Sequence, residues 1–137
     1  MSEPNYFVVV FGNPSNNGDP VESGRYSAGE GYPQFKAEPG DMLLLYCTDG
    51  YTAYPRQIPG IGVAFKTSGS EVEYRWVPLV TPIRLEQVVQ QFESGDRQKM
   101  RQLGLTARRV FTISPQSFRN TVAGQALMLM TAVGQNA

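Results

Sequence analysis

Gly40-Asp41-Met42-Leu43-Leu44-Leu45-Tyr46-Cys47-Thr48, followed after a tyrosine-rich loop by Pro59-Gly60-Ile61-Gly62-Val63-Ala64-Phe65, is the stretch that decides the fold. Each half reads as a short strand buried on its faces, the first entered through a Gly-Asp turn and the second punctuated by glycines. Glycine inside a strand marks a place where another group must come close. Two such strands, with polar and aromatic residues at their junction, predict a small ligand pocket.

Working outward, Tyr6 to Phe11 is β-branched and aromatic and is bounded by Gly12-Asn13-Pro14. It predicts a central strand covered on both sides. Residues 12–39 are rich in glycine and proline and predict a long excursion with at most one short helix. Tyr51 to Pro59 reads as a loop and Ile61 to Lys66 as the third strand, with Phe7 and Phe65 assigned to the core. Val72, Tyr74 and Trp76 alternate with Glu73 and Arg75, the period of a half-exposed strand running towards Val80. Leu85, Val88, Val89 and Phe92 form one helical stripe that Gly95 is placed to end. Asp96 is placed to cap a second short helix with Met100 and Leu103 inward. Arg109 to Ile113 reads as a last strand. Ser114 as N-cap and Pro115 at the first position then open a C-terminal helix burying Phe118 and Val122.

The chain of 137 residues is long enough for one domain with its own core, and 41% hydrophobic against 18% charged residues excludes wholesale disorder. Cys47 is the one cysteine, so no internal disulfide forms, which fits a reducing, cytoplasmic setting. The first apolar run is too short for a signal peptide, and no run is long enough to span a membrane. Net charge is zero, but residues 1–96 hold all twelve acids, while Arg97, Lys99, Arg101, Arg108, Arg109 and Arg119 follow without one. That asymmetry points to a phosphate-facing surface, and equally suits a solvated helix face with ion-pair partners.

The chain has no histidine, which removes the usual neutral-pH base, every His-dependent triad and the commonest metal ligand. No phosphate loop, dinucleotide fingerprint or metal cluster is present, and no cofactor or metal is expected. Asp41 and Asp49 each precede or follow a glycine in a manner that turn chemistry explains. Binding chemistry remains. Tyr46, Tyr51, Tyr54 and Trp76, with Tyr26 and Tyr32 upstream, offer rings to sandwich a flat ligand, and Asn13, Thr48 and Asp49 offer directional hydrogen bonds. Tyr51 and Tyr54, flanked by glycine and proline, are expected to stay out of the core.

The order of these pieces resembles the EVE domain, a member of the PUA-like superfamily that also holds the YTH and ASCH domains. The likeness runs from about Asn5 to Val122. It is sharpest at Gly40 to Thr48, Pro59 to Ala64, and Ile113-Ser114-Pro115 with Phe118. It implies an α+β fold with a mixed, strongly bent, barrel-like sheet flanked by short helices in a single domain of residues 1–137. It also implies a non-catalytic module that takes a flipped-out modified base, such as a methylated cytosine or adenine, from DNA or RNA. The family's pocket walls fall on Tyr46, Cys47, Thr48 and Asp49, and on Ile61, Gly62 and Val63, with Gly12 and Asn13 nearby. Tyr46, Tyr54 and Trp76 are then expected to stack, and Arg97, Lys99, Arg101, Arg108 and Arg109 to hold phosphates. The chain departs from the family in having no tryptophan and no Arg-Asn pair in residues 12–39. Two other classes stay open: an ASCH-like enzyme using Asp41 or Asp49 as base, and an interaction subunit. The latter would form a homo-oligomer through the apolar Leu127 to Met130 in the tail, residues 123–137.

Overall fold

A parallel pair of neighbouring strands needs a long crossover between them, because a tight turn can only reverse the chain. That requirement explains the long excursion after the first strand. In the computed structural model, which describes residues 4–12, 20–27, 37–68, 71–101 and 110–121, β1 (Tyr6–Phe11) and β3 (Met42–Cys47) run parallel from Tyr6 opposite Met42 to Phe11 opposite Cys47. Among its described residues the excursion carries a 3-10 turn, Val21–Ser23, and a strand, β2 (Arg25–Ser27), that the sequence reading did not anticipate. Three residues among glycines and prolines are too few to show a period.

β4 (Gln57–Ser68) and β5 (Glu71–Arg84) form a long antiparallel hairpin, and β6 (Val110–Ile113) closes the far edge. The sheet order is β2-β5-β4-β3-β1-β6, every pair except β1–β3 being antiparallel. Irregularities between Leu45 and Cys47, Ile58 and Gly60, and Ala64 and Lys66 shift the register. Such bulges bend a strand and sharpen its twist. The sheet accordingly curls into a half-barrel, with three short helices among the described residues on one side, an α+β architecture.

The two faces have separate cores. Val8, Val10, Leu44, Tyr46, Ile58 and Ile83 face the helices α1 (Leu85–Gln91), α2 (Ser94–Arg101) and α3 (115–121). Phe7, Val9, Phe11, Leu43, Leu45 and Cys47 face the opposite way, where Val21 of the 3-10 turn and Tyr26 of β2 cover them. β1 therefore alternates between two buried faces, as its continuous apolarity requires.

Several boundaries differ from expectation. Gln57 to Pro59 belong to β4, and Pro82 to Arg84 belong to β5, so helix α1 starts at Leu85. It ends at Gln91 with Phe92 as its C-cap, and Gly95 lies inside α2 instead of stopping α1. Phe65 is not core: it is the extra residue of the bulge between Ala64 and Lys66, and 57% of it is exposed. Alternation breaks at a bulge, and a hydrophobe there loses its inward position. Leu103, Val122 and the Leu127 to Met130 tail lie outside the described residues.

Asp96 does not serve as a simple cap of its own helix. Its Oδ2 accepts from the Ser114 N–H (2.9 Å) and the Ser117 Oγ–H (2.6 Å), while Lys99 Nζ lies 3.8 Å from Oδ1. Ser114 is the expected N-cap, its Oγ accepting from the Ser117 N–H at 3.1 Å. The buried carboxylate thus ties α2 to the start of α3.

Candidate functional site

The glycines of β4 admit aromatic rings. A Cβ on Gly60 would stand 2.5 Å from the far edge of the Trp76 indole, and one on Gly62 would stand 2.7 Å from Tyr74 Cδ2. Trp76 and Tyr74 therefore lie diagonally across β4, their rings covering backbone that any side chain would displace. Trp76 stays half-buried, and Tyr54 is half-buried against the same cluster. Tyr54 stacks on Tyr51 with ring centroids 6.1 Å apart and planes 22° apart.

Tyr51 itself packs inside, against expectation. Its hydroxyl accepts from the Val21 N–H at 2.8 Å, and the Tyr74 hydroxyl donates to the Val21 carbonyl. Two tyrosines thus hold both backbone groups of Val21 in the 3-10 turn. Burial raises the Tyr51 pKa, with the Glu22 carboxylate adding to it.

Of the residues expected to bind ligand, the structure brings Tyr51, Tyr54, Gly62 and Trp76 to one face. Thr48 and Asp49 follow β3 at its end, where the Thr48 N–H donates to the Phe11 carbonyl at 2.9 Å. Tyr46 and Ile61 point the other way, into the core beneath the helices, so Tyr46 does not join Tyr54 and Trp76. Parity along each strand separates them: Tyr46 adjoins Cys47, and Ile61 adjoins Gly60 and Gly62. Asn13, Arg108 and Arg109 lie outside the described residues.

The two aspartates have separate duties. Asp41 is 4% exposed, and its two oxygens accept from the Asn5 N–H (2.9 Å) and the Glu38 N–H (2.8 Å). That is the turn chemistry its sequence context implied. Asp49 is exposed and lies 3.8 Å from Arg56 Nε, whose Nη2 lies 3.6 Å from Glu86. Arg56 has φ of 57°, a left-handed conformation uncommon for arginine, and its carbonyl accepts from the first N–H of α1.

Two basic residues of the second half, Arg97 and Lys99, are engaged with backbone carbonyls. The Arg97 guanidinium donates twice to the Phe92 carbonyl at 3.2 and 3.0 Å, closing the end of α1. Lys99 Nζ donates to the Thr112 carbonyl at 2.7 Å, and Arg101 is exposed at the end of α2. All three belong to the helix side of the sheet. Two polar residues that sequence reasoning passed over, Gln57 and Arg84, stand opposite each other at the end of the β4–β5 hairpin. Only the strand register reveals them, because the bulges reset the parity of β4 and β5. An open cleft of about 320 Å³ lies towards the start of β5 instead, lined by Arg25, Lys66, Glu71 and Glu73 among others. The Lys66–Glu73 pair at 3.8 Å occupies its rim.

Cys47 is fully buried, and burial pushes its thiol up to about 12, with Glu22 adding to the rise. The native thiol should therefore resist alkylation at neutral pH and react only when the chain is unfolded. Because the folded pKa is raised, the stability it lends is complete below the thiol's ordinary value of 9.0 and is lost as pH climbs towards about 12. Denaturant midpoints for the wild type and Cys47→Ala across that range check this: the alkaline decline should be shallower in the variant.

No family model matches the sequence, and no curated protein matches it. Among solved structures, the chain is similar to the crystal structure of protein Atu2648 from Agrobacterium tumefaciens, a Northeast Structural Genomics Consortium target. The TM-score is 0.53 at 13% identity, covering 88% of this chain and 92% of that chain. At that identity the likeness carries the fold alone.

Proposed function

We propose that the chain is a non-catalytic, PUA-like module of the EVE kind that binds nucleic acid by accepting one modified base on the Trp76 face. The observation that carries this reading is the half-buried indole spread over Gly60, with the half-buried Tyr54 ring against the same core. Extruding a base from its stack costs a few kcal/mol. Stacking on an aromatic side chain contributes about 1–3 kcal/mol per base, so two rings offset that cost. Thr48 and Asp49, at the end of β3, supply acceptors and a hydroxyl donor for the base edge.

The test is fluorescence anisotropy with matched single-stranded DNA and RNA oligonucleotides, each carrying cytosine, adenine or the methylated form, at two salt concentrations. A preference for a methylated base that survives the higher salt is expected. Trp76→Ala should lower that affinity roughly 10- to 100-fold, and Tyr54→Ala should weaken it with little change in stability. Absence of any preference, with binding that disappears on adding salt, would overturn the reading and favour an interaction subunit.

A further inference from the structure

The register of three strands brings a cation, Arg84 at the end of β5, to the aromatic face. Cys47, Gln57 and Arg84 stand opposite one another across β3, β4 and β5. The adjoining row is Leu45, Gly60 and Pro78, and it is Gly60 that the Trp76 indole covers. Residues directly opposite on neighbouring strands share a face of the sheet. Cys47 belongs to the core on the Trp76 side, whereas Ile58 and Ile83, the next opposed pair, belong to the core beneath the helices. Gln57 and Arg84 therefore lie on the Trp76 side.

Arg84 differs from its neighbours in how its charge is used. Arg56 stands between Asp49 and Glu86, Lys66 pairs with Glu73, and Arg97 and Lys99 donate to backbone carbonyls on the helix side. Arg84 is exposed and has no carboxylate partner among the described residues. Its backbone is anchored: the Arg84 N–H donates to Gln87 Oε1 at 3.2 Å, and the following N–H of Leu85 donates to the Arg56 carbonyl at 3.0 Å. A guanidinium on a fixed stem presents a planar fork of donors that matches two phosphate oxygens.

We propose that Arg84 holds the backbone phosphate beside the base that enters the Trp76 slot, with the Gln57 amide in the same row. This rests on the base-binding reading and replaces Arg97 and Lys99 as the source of its electrostatic term. A phosphate contact weakens binding evenly across sequences and contributes to salt dependence without setting base preference.

The experiment compares wild type, Arg84→Gln, Arg84→Lys, Arg101→Gln and Trp76→Ala. Each is titrated with the same labelled oligonucleotides at about 50 and about 200 mM salt, spanning the range where phosphate contacts are most visible. Arg84→Gln should lose about tenfold in affinity at low salt, and its log–log salt slope should flatten by about 0.7, with the methylated-to-unmethylated ratio kept. Arg84→Lys should keep most of the slope, and Arg101→Gln should match wild type. Thermal melting of each variant provides the folding control. An Arg84→Gln protein with unchanged affinity and slope, in a series where Trp76→Ala loses binding, overturns the assignment of Arg84 and leaves the base-binding reading standing. An Arg84→Lys slope as flat as that of Arg84→Gln, or Arg101→Gln losing as much as Arg84→Gln, also overturns it. Wild-type protein that binds none of the oligonucleotides overturns both.

Discussion

Asp96→Ala should cost about 3 kcal/mol of folding stability, because the carboxylate accepts from two donors at the start of α3. Asp96 is 7% exposed and Ser117 is fully buried. Removing the carboxylate strands the Ser114 N–H at the entrance of α3 and frees the Ser117 hydroxyl of its acceptor. Each buried donor left unmade costs roughly 1–3 kcal/mol. Ser117 Oγ also accepts from the Glu93 N–H at 3.0 Å, and Ser114 Oγ donates to the Glu93 carboxylate, so disorder at the serines spreads to the link between α1 and α2. For a chain of this length the melting midpoint should fall by roughly 10 °C. Asp96→Asn keeps one acceptor oxygen and should lose less. Equal melting of Asp96→Ala and wild type would show that the network contributes nothing to stability.

Gly62→Ala should cost about 2 kcal/mol, an overpacking penalty. The new methyl would meet Tyr74 Cδ2 at 2.7 Å and Cγ at 2.8 Å, the root of the ring rather than its mobile end. Tyr74 cannot swing away cheaply: it is 2% exposed and its hydroxyl is bonded to Val21. Gly95→Ala is the matched control, since nothing lies within 4 Å of its added methyl and it sits in α2. That substitution should be neutral or stabilise by about 0.5 kcal/mol through helix propensity. If the Tyr74 clash is the cause, Gly62→Ala and Tyr74→Ala will be strongly non-additive in a double-mutant cycle. Additive losses would place the cost of Gly62→Ala elsewhere.

Parts of the fold were legible where a local rule had a single solution. β1 and β3 match their apolar runs residue for residue, since each run is closed by turn residues and buried on both faces. Ser114 and Pro115 opened a helix as their chemistry dictates. Asp41 was readable as turn chemistry, and its two backbone bonds are of that kind. The close approach implied by the glycines of β4 was readable too, although its occupants, Trp76 and Tyr74, were not.

What escaped the sequence depends on partners distant in the chain. Tyr51 carries a loop-like context, yet it is buried because the 3-10 turn, 30 residues away in sequence, needs its hydroxyl. Phe65 was placed in the core by alternation, and one extra residue in β4 turns it out. The cations of α2 looked available for phosphate, while the chain ends of α1 and β6 take Arg97 and Lys99.

By itself the amino-acid sequence determined which segments are apolar enough to be strands, where helix α3 must begin, and that histidine chemistry is absent. The tertiary structure alone decided sidedness: which face receives Tyr46 or Trp76, and that Gln57 and Arg84 meet across the hairpin. The physical reason is the two-residue period of a strand. A single bulge exchanges inside for outside along everything that follows, and bulges are products of pairing between strands rather than of either strand alone.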